Sequence, residues 1–299
     1  MPFRCSAASL ARDEPMLGTA STVRSFLLVE NFGPWGVDAL RDARMPEEVK
    51  GALRRVAART GVRVLLIRRH RTRFPGSRLR VFAAYADPAA PWMETGTVTE
   101  LADLLRLDLT ALGRGESPGL TRVSGSVFCV CTHGRHDSCC AELGRPVVSA
   151  LHASHPELTW EVSHIGGDRF AANVLVLPEG LYYGRVVASA APDLVRTHLD
   201  GRLDLDLLRG RSGLSFPVQV AEVAVRRQLE ETRDGAVRVT SVTRSGDDTS
   251  VVFDVSGATY TAVVRRSHAT DEHLLTCRAL RTNPVPAYTV VAVEAAPAV

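Results

Sequence analysis

The sequence is poor in several features that would assign it to a common class. Among 299 residues there is a single lysine, Lys50, and the formal net charge is +3, spread along the chain without a dense block. Proteins that bind nucleic acid concentrate lysine and arginine in a patch, so the charge gives little support for such a partner. No apolar run approaches the roughly 20 residues that a membrane-spanning helix needs. We therefore expect a globular protein without a nucleic-acid or membrane partner.

Cysteine is also scarce, and its distribution is uneven. Six cysteines in a chain of this length are too few for a disulfide scaffold, and four of them lie within residues 129–140. Charged residues interrupt residues 1–20, which therefore lack the apolar core of a signal peptide. We expect a cytoplasmic protein whose clustered thiols bind a metal or take part in redox chemistry.

The hydrophobic pattern predicts two consecutive α/β halves, followed by a small α+β extension. In the first half we predict strands over residues 23–29, 62–67 and 79–85, and helices over 46–60 and 99–107. In the second half we predict strands over 126–130, 158–162, 173–177 and 181–187, and helices over 146–154 and 192–200. In the extension we predict a helix over 218–231 and strands over 237–242, 250–255, 259–265 and 288–293.

These elements suggest four segments. We predict a flexible N-terminal segment (1–22), an N-terminal α/β half (23–115), a second α/β half that carries the cysteine motif (120–205) and a C-terminal α+β extension (210–299). Residues 113–119 are rich in glycine, serine and proline, which is typical of a linker between the two halves.

The cysteine motif combines thiols with several other potential metal ligands. Thiolate and imidazole together suit zinc or an iron-sulfur centre, whereas magnesium and calcium prefer oxygen ligands alone. Spacing permits one of Cys129 and Cys131, and one of Cys139 and Cys140, in a common site. Candidates for the remaining positions are His133, His136, Asp137, His164 and Asp168.

Several of these residues also occur in a recognisable arrangement. Cys131 and Cys140 are spaced Cys-x8-Cys, and residues 164–173 read His-Ile-Gly-Gly-Asp-Arg-Phe-Ala-Ala-Asn. Together with the Phe-Gly-Pro-Trp-Gly run at 32–36 and with residues 177–185, they resemble the sucrase/ferredoxin-like family over residues 23–187. In eukaryotic members of that family a His-x3-His pair looks to complete the ligand set, and here Asp168 occupies the place of the second histidine.

The resemblance implies a thioredoxin-like fold for the α/β halves and a 2Fe-2S cluster. The implied ligands are Cys131, Cys140, His164 and Asp168. The protein would be an electron-transfer protein that works with a redox partner protein, which favours an electron carrier over an enzyme. Two alternatives stay open: a zinc-binding or metal-free thioredoxin-like module, and a thiol-dependent enzyme suggested by the spacing of Cys129 and Arg135.

Asp168 has two possible roles. As a ligand beside two thiolates and one imidazole it would give an oxidised 2Fe-2S centre a formal charge of about −1, between about −2 for four cysteines and about 0 for a Cys2His2 set. Otherwise it could accept a hydrogen bond from an imidazole ligand. We expect Cys5, Cys129, Cys139 and Cys277 to be packing or incidental thiols, and His133 and His136 to be solvated.

Overall fold

The structure is a computed structural model that describes residues 2–70, 78–267 and 271–296. Within these ranges the chain forms sixteen strands and seven α-helices, numbered here in chain order. Helix α1 (Cys5–Ala11) precedes two α/β halves that share one ten-stranded sheet, and a smaller antiparallel sheet follows them. None of the helices in the described ranges is long and apolar enough to cross a membrane.

The first half contains a parallel strand pair followed by antiparallel strands. Its elements are β1 (Ser25–Glu30), α2 (Ala39–Asp42), α3 (Glu47–Thr60), β2 (Arg63–Arg68), β3 (Leu79–Tyr85), β4 (Trp92–Val98), a 3₁₀ turn (Leu101–Arg106), α4 (Leu109–Gly113) and β5 (Thr121–Val123). Strand β1 is buried on both faces, because Leu27 and Val29 pack on the side of α3 while Phe26 and Leu28 pack on the opposite side. A strand that is covered on both faces reads as a continuous apolar run, as this one does.

The second half repeats the same plan. Its elements are β6 (Val127–Cys131), α5 (Ser138–Ser154), β7 (Thr159–Val162), β8 (Val174–Leu177), β9 (Leu181–Tyr183), α6 (Ala191–Leu199) and β10 (Leu208–Arg211). The strand order across the sheet is β10-β9-β8-β6-β7-β2-β1-β3-β4-β5. Each half thus contributes a parallel pair extended by antiparallel strands in the same order, so the predicted tandem of thioredoxin-like α/β halves is confirmed.

The two halves meet through a short antiparallel overlap at the carboxyl ends of β2 and β7. Ile67 pairs with Val162 and Arg68 pairs with Glu161. Because the overlap involves the strand ends, the carboxyl ends of β1 and β6 point toward each other from opposite directions. The loops that follow β1 and β6 therefore come into contact.

The C-terminal extension is a helix packed on an antiparallel sheet. Helix α7 (Phe216–Gln228) covers strands β11 (Val237–Ser245), β12 (Asp248–Val255), β13 (Ala258–Ser267) and β16 (Ala287–Ala295), and a two-stranded ribbon forms from β14 (Glu272–His273) and β15 (Asn283–Pro284). Side chains of β12 alternate between buried and half-buried, with Val251 and Phe253 fully buried in the core under α7. The predicted α+β extension is thus confirmed.

The N-terminal segment differs from its prediction. Residues 2–22 do not form a flexible leader: α1 lies within them, Cys5 and Ser9 are fully buried, and Ala20 is hydrogen-bonded to the side chain of Gln219 in α7. The apolar residues of this segment follow no period that would signal this packing, because the segment contacts the second half and the extension through scattered residues.

Some element boundaries also differ. Helix α5 begins at Ser138 rather than 146, and Pro146 lies inside it, because Asp137 caps the helix end and Cys140 continues its buried face. Strand β4 was not predicted; Gly96 interrupts its apolar pattern, and Leu120 fills the space where a side chain would lie. Strand β10 joins the sheet beyond residue 205, the predicted end of the second half.

Candidate metal centre

Cys131 and Cys140 become neighbours at the junction of β6 and α5. Cys131 ends the strand, and Cys140 lies in the first turn of the helix. The Asp137 carboxylate caps that helix by accepting a hydrogen bond from the Cys139 amide at 2.9 Å. One turn further on, a Cβ at Gly144 would collide with the Cys131 carbonyl oxygen. The helix therefore packs directly on the strand end and places the Cys140 thiol beside Cys131.

His164 and Asp168 lie on the loop after β7, and two glycines set the shape of this loop. Gly166 and Gly167 have φ angles of +97° and +78°, in the left-handed region that favours glycine. The buried guanidinium of Arg209 fills the space beside Gly167 and donates to the Gly166 carbonyl oxygen at 2.9 Å. The loop thereby turns back on itself and brings the Asp168 carboxylate to the His164 ring.

Asp168 contacts two of the other predicted ligands, and Cys131 lies beside one of them, Cys140. Asp168 Oδ1 accepts a hydrogen bond from Cys140 Sγ at 3.1 Å and lies 2.9 Å from His164 Nδ1. A fifth side chain joins them: His136 Nε2 lies 3.6 Å from Asp168 Oδ2, and the His136 ring stacks on the His164 ring with centroids 3.7 Å apart. The ligand atoms of His136, His164 and Asp168 all lie within 4.8 Å of one another. We expected His136 to be solvated, and its contacts with Asp168 and His164 were not predicted because no spacing in the sequence indicates them.

The site is buried on its sulfur side and open on its imidazole side. Cys131, Cys140 and Asp168 are at most 2% exposed, whereas the His164 and His136 side chains are 27% and 31% exposed. A centre bound here would therefore be shielded from water at the thiols and would reach the surface through imidazole rings.

Contacts within the site favour ionised Cys131 and Asp168. The neighbouring Cys140 lowers the pKa of the Cys131 thiol, whereas contact with Cys131, together with burial, raises the pKa of Cys140 itself. Burial alone would raise the pKa of Asp168, but the contacts with His164 and Cys140 outweigh burial and hold that pKa below its usual value. Cys131 is thus the thiol that ionises more readily, and Asp168 is a carboxylate.

A basic side chain supports the loop from behind. Arg209 is fully buried and makes four hydrogen bonds, to Thr19 (twice), Gly166 and Asn173. Burial lowers its pKa to about 10, so the guanidinium remains a cation at neutral pH. Its positive charge partly compensates the buried carboxylate and thiols of the site.

The loop after β1 forms one wall of the site. His133 Nε2 lies 2.7 Å from the Gly36 carbonyl oxygen, and His136 Nδ1 lies 3.1 Å from that of Val37. Trp35 is buried and contacts His133 edge-on. His133 is 2% exposed, so the prediction that it is solvated is wrong; the close approach of the two loops buries it.

The remaining cysteines fall into two environments. Cys129 is buried in β6, and burial raises its pKa to about 12. Almost no thiolate is then present at neutral pH to act as a nucleophile, which argues against the thiol-dependent enzyme suggested by Cys129 and Arg135. Cys5, Cys139 and Cys277 instead lie together with Asp137. Since these three cysteines are far apart in the sequence, spacing alone did not suggest their association.

Comparisons with known proteins identify the family of this chain. The profile of the Sucrase/ferredoxin-like family matches residues 16–210, about two thirds of the chain. A thioredoxin-like [2Fe-2S] ferredoxin from Aquifex aeolicus is 21% identical, with 29% of this chain and 91% of the ferredoxin covered and a TM-score of 0.26. A variant of the same ferredoxin in which one cysteine is replaced by serine is also 21% identical, with 28% of this chain and 97% of the variant covered and a TM-score of 0.25. No curated protein matches the chain.

Proposed function

Because the chain belongs to the sucrase/ferredoxin-like family, we propose that it is a one-electron carrier built around a 2Fe-2S cluster. The observation that carries this proposal is the contact of the buried Asp168 carboxylate with the Cys140 thiol and the partly exposed His164 imidazole, next to the buried thiol of Cys131. The ligands that we assign are Cys131, Cys140, His164 and Asp168.

The donor set fits such a cluster. Sulfur ligands from cysteine are general to 2Fe-2S centres, and nitrogen ligands replace two of them in the Rieske type. His164 Nδ1 is buried and, although it lies 2.9 Å from Asp168, makes no aligned hydrogen bond. A buried imidazole nitrogen without a hydrogen bond is costly unless something else binds it, and a metal ion is one such partner.

A bound 2Fe-2S cluster supplies reversible uptake of one electron. The protein residues supply the rest: Cys131 and Cys140 bind as thiolates in a site from which water is excluded, and Arg209 holds the loop that carries the other two ligands. With Nδ1 of His164 bound, Nε2 holds the ring proton. The half-exposed rings of His164 and His136 are the shortest path from the buried ligands to a redox partner protein.

Metal and sulfide analysis of anaerobically purified protein tests the proposal. We expect iron and acid-labile sulfide in equal amounts, about two of each per chain. Protein that contains no iron, even after reconstitution with iron and sulfide, would contradict the ferredoxin assignment.

Cysteine variants test the choice of thiols. Cys131→Ser and Cys140→Ser should lose or severely destabilise the cluster, because each removes a thiolate from a site with no spare sulfur in contact. Cys129→Ser is the matched control, since Cys129 is equally buried and lies two residues from Cys131. Loss of iron in the Cys139→Ser variant with retention in Cys140→Ser would shift the assignment by one residue.

Replacement of Asp168 tests the fourth ligand. Asp168→His should retain the cluster and raise its reduction potential by about 125–350 mV, half of the difference between Rieske and all-cysteine centres, because a neutral imidazole replaces a carboxylate. The measurement is a redox titration followed by electron paramagnetic resonance. An unchanged potential and resonance would remove Asp168 from the ligand set.

A further inference from the structure

A second group of metal ligands lies behind the first. Cys5, at the start of α1, Cys139, in the first turn of α5, and Cys277, near the C-terminus, bring their sulfur atoms together beside the carboxylate of Asp137. The Cys139 and Cys277 sulfurs are 3.3 Å apart, those of Cys277 and Cys5 are 3.5 Å apart, and Cys5 Sγ lies 3.5 Å from Asp137 Oδ2. All four ligand atoms lie within 4.8 Å of one another.

We propose that these four residues form a structural zinc site. Zinc prefers four ligands in a tetrahedron, and sulfur ligands about 2.3 Å from the metal lie about 3.8 Å from each other, close to the observed spacing. The site is closed: Cys5, Asp137 and Cys139 are at most 1% exposed, which suits a structural ion and leaves no open position for a substrate. Three sulfurs and one carboxylate oxygen complete the set.

One feature of the surroundings favours negative charge at Cys139. The N-terminus of α5, a helix of 17 residues, begins at the group and stabilises negative charge on Cys139. Asp137 Oδ2 accepts the Cys277 amide at 2.6 Å and, with its second lone pair, can still bind a cation. Zinc binding would deprotonate the three thiols, so three protons leave to solvent as one ion enters.

The position of the site indicates what the ion does. Its ligands come from both ends of the described chain and from the loop between β6 and α5, so zinc would fasten the terminal segments to that loop. Cys139 and Cys140 are adjacent in one helical turn and serve different sites. The inference does not depend on the cluster, because none of the four zinc ligands is among the residues assigned to iron.

Metal analysis of the full chain tests the proposal. Cys277 is the residue to replace, because it is partly exposed and its replacement should destabilise the fold less than replacement of a buried cysteine. Purified protein should contain about one zinc per chain, and Cys277→Ser should reduce it about tenfold or more while leaving the iron content unchanged. Cys5→Ser should do the same, and Cys129→Ser, the matched control, should keep its zinc.

A second measurement follows the C-terminal segment. Arg278 donates to the Arg135 carbonyl oxygen at 2.9 Å and directly follows the proposed ligand. Removal of zinc by a chelator, or the Cys277→Ser change, should accelerate trypsin cleavage after Arg278. Three results would each overturn the proposal: no zinc bound after equilibration with one equivalent, equal zinc in Cys277→Ser and the unmodified chain, or a Cys139–Cys277 disulfide in the purified protein.

Discussion

Replacement of Gly167 by alanine tests whether Arg209 rigidly supports the His164–Asp168 loop. A Cβ at Gly167 would lie inside the contact distance of the Arg209 guanidinium, and its φ of +78° costs alanine about 1–2 kcal/mol. Displacing a fully buried guanidinium breaks at least one of its four hydrogen bonds, worth about 1.5–3 kcal/mol for a charged donor. We therefore expect Gly167→Ala to lower the free energy of unfolding by about 3–5 kcal/mol, measured by urea titration with circular dichroism.

Gly61→Ala is the matched control. Gly61 has a similar φ of +73° at the end of α3, but no atom lies within 4 Å of the Cβ that alanine would add. The control should cost about 1–2 kcal/mol from backbone conformation alone, and it should retain iron as well as the unmodified chain does. If both variants lose the same free energy and retain the same iron, Arg209 does not hold the loop in the way that its hydrogen bonds indicate.

Three further predictions concern stability and coupling. Glu14→Gln should cost about 3 kcal/mol at neutral pH, because it leaves the Arg169 cation without its buried partner at 2.5 Å. Burial alone would raise the pKa of Glu14, but Arg169 outweighs burial and lowers that pKa. The stabilisation by the ion pair is therefore present above the ordinary glutamate pKa and is lost as pH falls below it. The free energies of unfolding of the unmodified chain and of Glu14→Gln should become equal in acid unfolding titrations. Gly144→Ala should move α5 off the end of β6 and reduce iron retention relative to Gly61→Ala, measured by iron analysis after dialysis. The reduction potential should fall as pH rises, because His164 bound through one nitrogen can release a proton from the other. The measurement is a redox titration repeated across pH, and the pH dependence should disappear in His164→Cys. A potential that stays constant with pH in the unmodified chain would assign no proton to that ring.

The sequence was informative where one physical signal dominated. Continuous apolar runs identified β1 and most strands of the second half, and alternation identified β12, because burial on two faces or on one face leaves a direct pattern. The strand β4 was missed, since Gly96 and its neighbours have neither pattern.

The parts of the candidate site that could be predicted are those with a local signal in the sequence. The spacing of Cys131 and Cys140 and the pair of glycines before Asp168 are local features, and the sequence contains them directly. His136 and the association of Cys5 with Cys277 depend on contacts between segments far apart in the chain. Such contacts follow from the meeting of the two halves and the return of both chain ends, which neither propensity nor periodicity encodes.

The two-residue overlap of β2 and β7 also has a consequence for the order of assembly. Each half closes its own strands through contacts that are nearby in sequence, whereas the wall of the candidate site is completed only when the loop after β1 reaches His133. Docking of the halves is therefore the late, long-range event, and the shielding of the ligands depends on it. Incorporation of the metal centre would then report on this docking step, and a change in the seam where Ile67 pairs with Val162 should slow it.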